Sequence, residues 1–160
     1  MQSLTFTGPA GTVIVNLAAN ETQATVAPSP IALPSGELTD NFTLQEFACH
    51  DGAAVPSELI PNVKELAKNL QVLRNALGES IRVNSGYRTP AYNKKIGGVP
   101  NSQHLQAKAA DIVVKSKTPK QLAAAIESLI ASGMMKQGGI GIYPGFVHYD
   151  IRGVKARWQS

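Results

Sequence analysis

Apolar positions recur along the chain with two periods, one helical and one extended. Val63, Leu66, Ala67, Leu70, Leu73 and Leu77 return at steps of three and four, the spacing of a single buried helix face. That stripe predicts a helix from about Ser57 to Leu77, with Gly78 placed to end it. Leu122, Ala125, Ile126, Leu129 and Ile130 repeat the pattern. Ahead of them Thr118-Pro119-Lys120-Gln121 supplies a cap, a proline at the first helical position and a glutamine to close a capping box. Gly133 stops this second helix. Thr43 and Glu46 have the spacing of another capping box, for a short helix through Cys49.

The extended period is clearest near the end of the chain. After the Pro144-Gly145 turn, Phe146, His148 and Asp150 fall on one face of a strand and Val147, Tyr149 and Ile151 on the other. Gly138 to Tyr143 and Phe146 to Arg152 are expected to form a hairpin. Asp111-Ile112-Val113-Val114-Lys115 reads as a buried strand with a carboxylate at its head. Ile81 to Asn84 is a shorter strand that runs into the turn Ser85-Gly86-Tyr87-Arg88-Thr89-Pro90. The segment from there to Asn101, punctuated by Gly97-Gly98 and Pro100, reads as a loop that delivers Ser102-Gln103-His104.

Residues 1–39 have a different texture. Leu4 to Thr7 and Thr12 to Leu17 read as short strands around Gly8-Pro9-Ala10-Gly11, and a Pro-rich linker follows from Ala27 to Gly36. Two strands alone bury no core, so this stretch reads either as a plain ordered arm or tail, or as a docking or self-association element, ahead of a compact domain at 40–160. Within that domain strands and helices are interspersed without regular βα alternation. The expected fold is α+β, a small, mostly antiparallel sheet with packed helices.

Composition narrows the partners. Of 160 residues 43% are hydrophobic and 16% charged, a globular balance rather than a disordered one. The net charge of +4 is spread out with no basic stripe or interleaved aromatics, which argues against nucleic acid. Mild basicity suits a polyanionic surface such as a bacterial cell wall. No apolar run reaches membrane-spanning length, so membrane insertion is not expected. The N-terminal Met1-Gln2-Ser3-Leu4-Thr5-Phe6 lacks a basic segment followed by an apolar one. The expectation is a protein made without its own export signal. Cys49 is the single cysteine, which excludes an internal disulfide and is expected to be a free, buried thiol.

Candidate chemistry gathers at four groups. His148 and Asp150 converge from one strand face, and His104 and Asp111 lie upstream. A catalytic zinc takes three N or O ligands and keeps a fourth position open, and His104, Asp111 and His148 supply that number. Any one of these histidines alone is better explained as a hydrogen-bonded, partly buried side chain. Asp111 changes the weighing, because a carboxylate opening an apolar run needs a cation or a metal if it is buried, the other option being an exposed strand end, so the combination carries the inference. Gly138-Gly139-Ile140-Gly141 lacks the lysine and following helix of a phosphate loop and reads as a flexible strand entry. Trp158, the only tryptophan, reads as a packing anchor, with stacking on a sugar as the other option.

Ser85-Gly86-Tyr87-Arg88-Thr89-Pro90, Ser102-x-His104-x6-Asp111 and Phe146-Val147-His148-x-Asp150 together resemble the zinc D-Ala-D-Ala carboxypeptidase group of peptidoglycan peptidases, which is related in fold to the hedgehog signalling domain. The resemblance runs from about Asn41 to Trp158, with three motifs in the right order. It implies that His104, Asp111 and His148 bind Zn2+ and that Arg88 and Ser102 help to bind substrate. Many relatives carry an acidic general base three residues before the last zinc histidine. Here that position is Gly145, so either Asp150, on the same strand face as His148, takes the role, or it orients a ligand instead, or the base comes from elsewhere. The implied function is hydrolysis of peptidoglycan peptide stems, by carboxypeptidase or endopeptidase cleavage, as in a phage lysin. The alternative is a non-catalytic zinc-containing module that binds the wall or builds a virion.

Overall fold

The structure, a computed structural model, describes residues 36–160 throughout and, before them, the backbone of 2–8 and 11–17. The chain divides into two units, residues 1–35 and 36–160. In the first, β1 (Gln2–Gly8) pairs antiparallel with β2 (Gly11–Leu17), Gly8 standing opposite Gly11 at the expected turn. Residues 27–35 of the expected Pro-rich linker lie outside the described residues.

The second unit opens with a small hairpin, β3 (Glu37–Thr39) and β4 (Phe42–Thr43). A 3-10 turn over Leu44–Phe47 follows, its start closed by Thr43 N–H donating to Glu46 Oε1 at 3.1 Å. This element stops at Phe47 rather than reaching Cys49, because Ala48 is already extended (φ −63°, ψ 152°). Helix α1 (Ile60–Leu77) follows a 3-10 turn at Ser57–Leu59, and Gly78 caps it in the left-handed region with φ 65°. The predicted stripe is the buried one: Val63, Leu66, Ala67, Leu70 and Leu73 have no exposed surface.

Strand β5 (Ile81–Ser85) leads through the Gly86–Thr89 turn into α2 (Pro90–Lys95), a six-residue helix inside the segment expected to be loop. Thr89 Oγ1 caps it by accepting from Tyr92 N–H at 3.1 Å. Strand β6 (Ala109–Val114) carries Asp111 as its third residue instead of its first. Helix α3 (Pro119–Ala131) has the expected box: Thr118 Oγ1 accepts from Gln121 N–H at 3.2 Å, and Gln121 Oε1 accepts from Thr118 N–H at 2.9 Å. Strands β7 (Gly139–Ile142) and β8 (Val147–Asp150) make the final hairpin, and β9 (Ala156–Gln159) returns along its edge.

The five long-range strands lie in the order β5-β6-β8-β7-β9. All neighbours are antiparallel except β7 and β9, so the fold is α+β with a mostly antiparallel sheet. Strand alternation sorts this sheet into two faces. Ala110, Ile112 and Val114 of β6, Ile140 of β7, and Val147 and Tyr149 of β8 are buried in one core with α1 and with Leu122, Ala123 and Ile126 of α3. The opposite face carries Asp111, His148 and Asp150, and the two glycines of β7 stand among them. Each fully buried leucine in such a core contributes roughly 1.5–3 kcal/mol. The apolar face therefore holds rigid the strands whose other face bears the polar groups.

Candidate metal centre

Pairing registers build the site. Ser85 stands opposite Asp111, Asp111 opposite His148, His148 opposite Gly141, and Gly141 opposite Trp158. Paired residues share a face, so these five form one row across all five strands. Two of the expected metal donors, Asp111 and His148, are neighbours in that row.

His104 comes from outside the sheet, on a 3-10 turn over Gln103–Gln106. Ser102 starts the turn, its Oγ accepting from His104 N–H at 3.3 Å, and Ala107 ends it with φ 53°. The Gly86–Arg88 turn then grips His104 at two points. The ring Nδ1 lies 2.6 Å from the Gly86 carbonyl oxygen, and Arg88 N–H donates to the His104 carbonyl at 3.0 Å.

Three donor atoms meet. His104 Nε2 is 3.3 Å from Asp111 Oδ1 and 3.3 Å from His148 Nδ1, and His148 Nδ1 is 3.1 Å from Asp111 Oδ1. The outer partners fix what these atoms present. A carbonyl oxygen only accepts, so His104 Nδ1 carries the hydrogen and Nε2 offers a lone pair. His148 Nε2 lies 2.8 Å from Asp150 Oδ2 and donates to that carboxylate, which leaves a lone pair on Nδ1. Asp111 Oδ1 adds a third lone pair. Three buried lone pairs facing one another demand a positive charge between them, either a proton or a metal ion.

The titration preferences agree. Burial holds the His104 ring below the ordinary histidine value. Burial also opposes the charge on Asp111, but bonds from His104 and His148 outweigh it and keep the carboxyl well below the usual range. For His148, burial is outweighed by its bonds to Asp111 and Asp150, which raise its pKa. A zinc ion bound at 2.0–2.2 Å by tetrahedral N and O ligands holds them about 3.3–3.6 Å apart, close to the 3.1–3.3 Å edges of this triangle. The donor set fits zinc.

Neighbouring groups hold the donors. Arg88 Nη2 donates to Asp111 Oδ2 at 2.7 Å while its Nε donates to Ser85 Oγ at 3.1 Å, leaving Asp111 Oδ1 for the triangle. Asp150 is 0% exposed and lies behind His148, on the Nε2 side of the ring. Its Oδ1 accepts from Gly139 N–H at 3.0 Å and from Arg152 Nε at 2.8 Å, and its Oδ2 accepts from Arg152 Nη2 at 2.6 Å as well as from His148. Every lone pair of this carboxylate is engaged away from the triangle. Gly139 makes the arrangement possible, since a Cβ there would stand 2.3 Å from Asp150 Oδ2.

The triangle opens onto a cleft of about 690 Å³. One wall is the segment Ile96–Gln103, with Val99 exposed at its rim. The other wall is aromatic. Tyr143 and Phe146 stack at 4.5 Å with planes 10° apart, and the Trp158 indole lies 5.0 Å from the His148 ring with Arg152 over it at 5.6 Å. Arg88 lines the cleft beside the donors, and Asp111 is the only carboxylate among the lining residues. Sequence reasoning placed His104, Asp111, His148, Asp150, Arg88 and Ser102 in this neighbourhood. It missed Tyr143, Arg152 and the cleft-facing position of Trp158. The signal for the last was the alternation Gly139-Ile140-Gly141-Ile142, which is a strand with an empty face rather than a flexible entry.

Comparison with known proteins gives two findings. A zinc D-Ala-D-Ala carboxypeptidase of Streptomyces albus G is 36% identical over 93 residues, which are 57% of this chain and 35% of that protein. The chain thus matches about a third of the length of this curated relative. Residues 40–150, the stretch that contains all three donors, match the family described as Peptidase M15, and the chain belongs to that family.

Proposed function

We propose that this protein is a zinc peptidase that hydrolyses the peptide stems of bacterial peptidoglycan. The observation that carries the reading is the triangle of His104, Asp111 and His148 donors at the floor of an open cleft. Family membership and the name of the 36% identical relative support the substrate class. When bound, zinc supplies Lewis acidity, polarising a carbonyl and lowering the pKa of a coordinated water towards about 7.

The chain's own groups bind and orient. Arg88 has five N–H donors, and Ser85 and Asp111 occupy two of them. The rest have no partner among the described residues and can receive a substrate carboxylate while the same side chain keeps Asp111 turned to the metal. Ser102 acts through His104 by capping its turn. Asp150 takes the orienting role rather than that of general base. It fixes the tautomer and direction of His148, and with its oxygens committed to His148, Gly139 and Arg152 it has no lone pair left for a water in the cleft.

A second reading, a wall-binding module that holds zinc without turnover, is favoured by one observation. Gly145 carries no acid, and among the described residues no carboxylate other than Asp111 lines the cleft. Incubating the protein with purified wall fragments, with and without a chelator, and weighing the products by mass spectrometry separates the two. Chelator-sensitive loss of a terminal alanine identifies a carboxypeptidase and cleavage within stems an endopeptidase. Intact fragments that nonetheless bind the protein establish the module.

A further inference from the structure

We propose that Tyr143 is a catalytic residue of this site. Its hydroxyl donates a hydrogen bond to the substrate carbonyl oxygen as that oxygen gains negative charge, and Trp158 aims it. The inference rests on the peptidase reading above and deepens it by naming a group for the developing oxyanion.

The geometry begins with the same row of paired residues. Gly141 stands between His148 and Trp158 in the sheet and has no side chain to fill its place. A Cβ built there would be 2.3 Å from Trp158 Nε1, so the indole lies across the vacant position towards His148. Tyr143 is two residues beyond Gly141, on the same strand face, and the Tyr143–Phe146 bond (N–H to carbonyl oxygen, 3.0 Å) continues the hairpin to it. Its ring is held flat against Phe146. Its hydroxyl oxygen accepts from Trp158 Nε1–H at 2.9 Å.

That bond has only one possible direction. An indole nitrogen donates and never accepts, so the tyrosine oxygen is the acceptor and its own proton is free. Among the described residues nothing accepts that proton, and the side chain lines the cleft together with all three metal donors. A hydroxyl clamped by a ring stack on one side and an N–H on the other is a preorganised donor of the kind that stabilises a developing alkoxide. The proton stays on Tyr143 throughout, and the bond strengthens as charge moves from the scissile carbonyl carbon to its oxygen.

The test compares the full chain with Tyr143→Phe and Trp158→Phe, each assayed for zinc per chain, kcat and KM on a wall-derived peptide. A second measurement is affinity for a phosphinate dipeptide, a tetrahedral anion that mimics the charged oxygen. For Tyr143→Phe the expected result is unchanged zinc, KM within about twofold, and kcat lower by roughly 10²-fold. Phosphinate affinity should fall by at least about tenfold while binding of the uncleaved peptide holds. Trp158→Phe, which keeps a ring but loses the N–H, should show a smaller loss of the same kind. Wild-type kcat and phosphinate affinity in Tyr143→Phe overturn the proposal, as does a loss of zinc, which would make the residue structural. Should the wild type show no turnover, the peptidase reading fails on its own. The phosphinate comparison then still decides whether Tyr143 meets a tetrahedral anion.

Discussion

At the residue scale, the decisive side chain is Asp150, because its two available roles leave different traces. Bonded to His148 Nε2 and clamped by Arg152, it should act through the metal ligand. Asp150→Asn is expected to lower zinc affinity by roughly 10–100-fold, while protein reloaded at saturating zinc regains most of its activity. Measuring zinc affinity by competition with a chelating dye, beside activity at saturating zinc, separates this from loss of a base, which would leave affinity intact and abolish turnover. The sequence showed that His148 and Asp150 share a strand face, and the same alternation extends to Arg152. It did not show which way the carboxylate turns. That depends on Gly139 across the hairpin, whose missing side chain opens the space Asp150 fills. Arg88 was legible as a constrained arginine, but its contact with Asp111 joins positions 23 residues apart, and no local pattern reports it.

At the element scale, β7 is a strand whose two glycines are sockets. Neither Gly139 nor Gly141 has a positive φ, so alanine fits the backbone at both positions and the effect must come from what its Cβ meets. Gly139→Ala is expected to displace Asp150 and weaken zinc binding. Gly141→Ala is expected to push the Trp158 indole aside, leaving zinc binding closer to normal while tryptophan fluorescence shifts. Equal effects of the two changes on zinc affinity would contradict this division. Helices α1 and α3 were legible because their apolar stripes and terminal glycines agree, and α3 adds a capping box. Thr118→Ala should cost about 0.5–2 kcal/mol in urea unfolding by removing the cap of α3. Helix α2 and strand β9 were not legible. Six residues between turns carry no periodicity, and β9 is a short edge strand defined by a parallel pairing with β7 that a local window does not contain.

At the scale of the whole molecule, residues 36–160 contain a complete core and every group of the site. Deleting residues 1–35 is therefore expected to leave a domain that unfolds cooperatively and binds zinc as the full chain does, checked by circular dichroism and metal analysis. No helix among the described residues is long and apolar enough to cross a membrane. The site assembles from three separated parts of this domain, the 3-10 turn of His104, the β6 strand of Asp111 and the β8 strand of His148, so metal binding reports the whole fold at once. The most direct test is the zinc content of the purified full chain and of His148→Ala after identical chelation and reloading. The expected result is about one zinc per wild-type chain and almost none in the variant, with both still folded. Full zinc occupancy in folded His148→Ala would contradict it.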